Sequence, residues 1–130
     1  MKMNHTIDPT EEIMTGLKGV HESFDVFGAD ILTAIYRRPE KTEGGIILTD
    51  NVKGEDLYQG KVGLILKVGP LIHERNKDLD LWFQGHLPKP GDWVIVRVGD
   101  TYAFNINKVP CRLVEAKQLR GRVTHPDLVW

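Results

Sequence analysis

A chain of 130 residues with 41% hydrophobic content is long enough for one core and too short for two comfortable ones. Its formal net charge of −1 leaves no broad basic field to attract nucleic acid or an acidic membrane. The single cysteine, Cys111, excludes an intrachain disulfide, and no N-terminal apolar stretch resembles a signal peptide or membrane span, which points to a reduced, cytoplasmic setting.

Residues 1–28 read as an N-terminal extension, helical or irregular. Met1 to Ile7 is a polar arm, and Asp8-Pro9-Thr10-Glu11 then predicts a helix start, with Asp8 as N-cap and Pro9 at the first helical position. Ile13, Met14, Leu17 and Val20 recur at helical spacing, interrupted by Gly16 and Gly19. A helix this short needs a surface to dock on. Two surfaces compete: the chain's own β domain and a neighbouring subunit. Phe24, Val26 and Phe27 offer further anchors for the lead-in.

A β domain is expected over 29–123, opening with a strand from Ile31 to Tyr36. Residues 38–58 then form a long loop, in which Ile46, Ile47 and Leu48 stand directly behind Gly44 and Gly45 between two polar runs. Such an apolar tip is an odd place for a core segment. The plainer reading makes Gly44-Gly45 a tight turn and Ile46 to Thr49 an ordinary edge strand.

Lys61 to Val68 is the cleanest strand, with Val62, Leu64, Leu66 and Val68 on one face and Lys61, Ile65 and Lys67 on the other. Between Gly69 and Pro90, Glu74 to Asp78 predicts a solvated turn, with Leu79, Leu81, Trp82 and Phe83 as a return strand in which the aromatic residues pack. Trp93 to Val98 alternates again, Gly99-Asp100 and Asn105 to Lys108 supply turns, and Val109 to Glu115 and Leu119 to Val123 complete an all-β set. A small closed or partly open barrel buries such strands. Residues 124–130 form a C-terminal tail ending in Trp130.

Catalytic patterns are sparse, and no enzyme is expected. Ser23 is the only serine and has no nucleophile elbow around it. Cys111 reads as a small core residue. His5, His21, His73, His86 and His125 lack metal-ligand spacing, and Gly44-Gly45 lacks the Lys-Ser/Thr of a phosphate loop, so no cofactor is implied.

Pro39 to Asp50, followed in order by Gln59-Gly60-Lys61-Val62, Lys67-Val68-Gly69-Pro70, Pro90-Gly91-Asp92-Trp93-Val94-Ile95-Val96 and Val109 to Val123, resembles the GroES-type co-chaperonins, the small ring-forming lids of chaperonins. The resemblance implies a small GroES-like β-barrel with a mobile loop whose aliphatic tripeptide, here Ile46, Ile47 and Leu48 behind Gly44 and Gly45, binds a chaperonin that hydrolyses the ATP. It also implies a hairpin over 69–90 that roofs the ring. The assembly would be a seven-membered homo-oligomeric ring in which Leu119 to Val123 pairs with a neighbour's first strand, with Ile31, Ile35, Leu119 and Val123 at the interface. The extensions at both ends exceed what a simple lid needs. A rival reading therefore places the protein in a virion, as a decoration or cement protein clamped on a major capsid protein, with Met1 to Gly28 supplying the anchorage.

Overall fold

The computed structural model describes residues 8–36, 61–72, 74, 77–97, 99 and 101–128. At its centre is one six-stranded sheet. Its strands are β1 (Asp30–Ile35), β2 (Val62–Val68), β3 (Trp93–Val96), β4 (Tyr102–Ile106), β5 (Val109–Glu115) and β6 (Leu119–Val123). The spatial order is β4-β5-β1-β2-β3-β6, and every neighbouring pair is antiparallel. The chain is mostly β, as its alternation predicts. Among the described residues closure into a barrel is not found, because the ladder stops at β4 and β6.

Period-2 alternation divides the apolar side chains between two faces. Leu32, Ala34, Tyr36, Val62, Leu64, Leu66, Trp93, Ile106 and Cys111 form one cluster. Ile31, Ile65, Val94, Val96, Val114 and Leu119 form the other. The alternation in β2 is broken once. Leu32 pairs with Lys67 but Thr33 with Ile65, so Leu66 is the extra residue of a bulge. Beyond it Val68 joins the second cluster instead of continuing the face of Val62, Leu64 and Leu66, as strict alternation had predicted.

The first face is covered by the N-terminal segment. Helix α1 (Pro9–Leu17) starts as expected, with the Asp8 carboxylate accepting from the amides of Thr10 at 3.1 Å and Glu11 at 3.4 Å. It stops at Lys18 and Gly19, both left-handed. Its surface is this chain's own sheet. Leu17 is fully buried in the first cluster and Ile13 packs against it. Gly16 is the point of closest approach: a Cβ there would lie 2.9 Å from Val109 Cγ2, and the Gly16 carbonyl accepts from Asn107 Nδ2 at 2.9 Å. The glycine that interrupts the apolar face in sequence is therefore what lets the helix settle on β5. Downstream, Phe24 stacks on Phe104 with ring centroids 5.4 Å apart. The Lys67 ammonium, turned by the bulge, donates to the carbonyls of Glu22 at 2.6 Å and Phe24 at 2.9 Å.

The second face is covered by residues 70–72 and 77–87, and here the expected hairpin is corrected. A 3-10 turn (Pro70–Ile72) is followed by helix α2 (Lys77–Phe83) where a return strand was predicted. Leu79, Leu81 and Phe83 mimic a strand by alternating. The pair facing the core is instead Leu79 and Phe83, one helical step of four apart, while Leu81 is 78% exposed. Gln84 and Gly85, both at positive φ, end the helix. Strand β4 was not singled out from sequence, although the turn that joins it to β5 was. Asn107 (φ 47°) and Lys108 (φ 69°) form a two-residue reversal between the paired residues Ile106 and Val109.

Candidate functional site

Antiparallel neighbours need only about two residues to connect them. β1 and β2 are such neighbours, yet residues 37–60 stand between Tyr36 and Lys61. The ladder is paired up to the root of this insertion: Ile35 faces Gly63, and the Tyr36 amide donates to the Val62 carbonyl at 3.0 Å. A side chain at position 63 would press on Ala34 O and Thr33 Cβ at 3.2 Å, so glycine permits the tight approach.

Tyr36 fixes the root from three directions. Its backbone closes the ladder, its buried ring meets Trp93 edge-on with centroids 5.7 Å apart, and its hydroxyl donates to Asp127 Oδ1 at 2.6 Å. Asp127 lies in a 3-10 turn (Pro126–Leu128), where its own amide donates to His125 Nδ1 at 3.1 Å. His125 Nδ1 also lies 3.9 Å from Asp127 Oδ2.

Gly44, Gly45, Ile46, Ile47 and Leu48 lie outside the described residues, as does all of the expected loop 38–58. The four expected interface residues are placed on two strands that are not neighbours in the sheet. Ile31 and Ile35 are buried on β1, which has β2 on one side and β5 on the other within its own chain. A neighbour's C-terminal strand finds no backbone edge there, which corrects the expected pairing through the first strand. Leu119 and Val123 belong to an end strand, with Leu119 buried in the second cluster and Val123 packed on the first.

The chemistry near these elements is that of packing. Cys111 is buried, and burial pushes its thiol up to about 11, so it is protonated and unreactive near neutral pH. Among the described residues no three His, Cys, Asp or Glu side chains gather to hold a metal. No helix among them is long and apolar enough to cross a membrane. Sequence reasoning passed over Tyr36, Lys67 and Asp127 as fixing residues. Only Tyr36 carried a signal, as the last apolar residue before Arg37-Arg38-Pro39. It also missed Arg112 and His21, both buried; desolvation lowers the Arg112 guanidinium, and His21 Nδ1 has no hydrogen-bond partner among the described residues.

Neither a scan against models of known protein families nor a search of characterised proteins found a match.

Proposed function

We propose that the protein is a non-enzymatic, co-chaperonin-type lid that offers residues 37–60 to a chaperonin ring, with Ile46, Ile47 and Leu48 behind Gly44 and Gly45 as the binding tip. The observation that carries this reading is the fixed root: two adjacent, fully paired strands are joined by residues 37–60 where a tight turn would do. The energetics suit a reversible partner. Burying three aliphatic side chains contributes at most about 5 to 9 kcal/mol, and ordering about ten residues opposes it with about 1 to 2 kcal/mol each. One copy binds weakly, and a homo-oligomeric ring, seven-membered by the resemblance, makes later contacts intramolecular. A GroES-like barrel and the ring itself are parts of this proposal, and ATP hydrolysis belongs to the partner.

The test is Ile47→Ser in co-sedimentation with a chaperonin and ATP. Association is lost while the melting temperature stays within about 1 °C, the outcome expected of a binding tip rather than of a core segment. Undiminished association rejects the lid, and a large loss of thermal stability supports the ordinary edge strand. The rival reading as a capsid-bound structural protein loses part of one of its arguments. Of the apolar set expected to anchor on a neighbour, Ile13, Leu17 and Phe24 are used within this chain, while Met14, Val20 and Phe27 remain exposed.

A further inference from the structure

On the second face, a cleft of about 410 Å³ opens between α2 and the β3–β6 end of the sheet. That volume falls within the roughly 300 to 1,000 Å³ usual for ligand sites. Its floor is apolar, made by Phe83, Pro88, Val94 and Leu119. Its rim is aromatic and cationic. Trp82 is 42% exposed, although its indole N–H donates to the Leu119 carbonyl at 3.4 Å. The Arg120 guanidinium lies over the Trp82 ring, 5.3 Å from its centroid. Arg122 is held by Asp92 Oδ2 at 2.9 Å and by the His86 carbonyl at 2.6 Å, a pairing that fixes its direction.

Charge decides what the cleft accepts. No carboxylate is among its lining residues, and the neighbouring Asp92 is engaged by Arg122. The ion pairs among the described residues do not include Arg120. A chain of net charge −1 thus carries a locally cationic recess with an apolar floor. Exposed tryptophan and arginine beside a pocket are also the residue types that dominate binding energy at protein interfaces.

We propose that this cleft docks a short acidic segment of another protein, with one large apolar side chain on the Phe83, Val94 and Leu119 floor beside Trp82 and a flanking carboxylate on Arg120. A nucleic acid fits less well. Two arginines give too few phosphate contacts, and the apolar floor offers nothing to read a base edge. The lining residues named all lie beyond Lys61 in sequence, and the proposal does not rest on the lid reading.

Fluorescence anisotropy tests it on the full chain. The probe is a dye-labelled, capped peptide with a central leucine pair flanked by glutamates, beside its lysine counterpart and a single-stranded oligodeoxynucleotide. Saturable binding of the glutamate peptide alone is expected, weakened by added salt and about tenfold by Arg120→Glu or by Trp82→Ala. Ile47→Ser leaves this binding unchanged, which keeps the cleft and the loop separable. Thermal melts show that the exposed Arg120 variant remains folded. Absence of binding, equal binding of the lysine peptide or of the oligonucleotide, or indifference to Arg120→Glu overturns the proposal. So does a fall in oligomer size on Arg120→Glu, which would make a second copy of this chain the occupant.

Discussion

Replacing Leu17 by alanine should cost the protein about 3 kcal/mol, within the range of about 2 to 5 found for large-to-small changes in cores. Leu17 is fully buried in the last turn of α1, in one cluster with Leu32, Leu64, Trp93, Ile106 and Cys111. Truncation removes its apolar contacts and leaves a hole that cannot readily collapse. The helix is held on one side by the Asn107 bond to the Gly16 carbonyl and stopped on the other by left-handed Lys18 and Gly19. For a domain of this length each kcal/mol moves the midpoint by about 4 °C, so the expected shift is about 12 °C. Thermal and urea melts followed by circular dichroism measure it, with Met14→Ala as the control on the same helix. Met14 is 42% exposed, and its truncation should stay within about 0.5 kcal/mol. If Leu17→Ala melts together with Met14→Ala, the helix is not part of the cooperative unit and the packing argument fails. If the shift appears, removal of residues 1–28 is no neutral trim. Such a deletion withdraws Leu17 and Phe24 from the core, and it cannot separate a lid from a capsid protein.

Lys67→Met should lose two charge-assisted bonds to the Glu22 and Phe24 carbonyls, about 1.5 to 3 kcal/mol each at most; amide exchange over residues 20–27 should quicken, and unchanged exchange would show the clamp to be idle. Burial lifts the Cys111 thiol from its ordinary 9.0 to about 11. Its contribution to stability is therefore complete below about pH 9 and is lost as pH rises towards 11. Cys111→Ala should flatten that part of the stability curve, and an identical slope in both proteins would refute the assignment. Asp30 is held above its ordinary 3.8 by desolvation and then by Glu115, its cross-strand partner. The neutral acid therefore favours folding, a contribution present below pH 3.8 and lost as pH rises through the folded value. Asp30→Asn should exceed the parent in stability at pH 7 and match it in acid, as urea midpoints at the two pH values will show.

The β domain was legible because Lys61 to Val68, Trp93 to Val96 and Val109 to Glu115 carry alternation strong enough to survive one bulge. The start of α1 was legible because Asp8 and Pro9 act locally, through the first free amides of the helix. What escaped depends on partners distant in sequence. Leu79 to Phe83 fits either period until the sheet selects the pair four apart. Nothing near Lys67 announces that a bulge aims it at carbonyls more than forty positions earlier in the chain. The choice between a closed and a partly open barrel stayed undecided for a similar reason: closure is a relation between end strands that neither strand encodes. At the candidate site the insertion was visible as sequence, while the Tyr36 anchorage on Trp93 and Asp127 required the fold.

The placement of β1 and β2 in the interior of the sheet has a mechanical consequence. A partner that grips residues 37–60 draws on both strands from the same end, so no sliding load falls on the bonds between them. The pull is carried by the outer seams, β1 against β5 and β2 against β3, which must shear along their length with many backbone bonds loaded together. Had the insertion sprouted beside an end strand such as β6, the same tug could have peeled that strand away bond by bond. Any pull on this segment therefore loads many backbone bonds at once rather than one at a time.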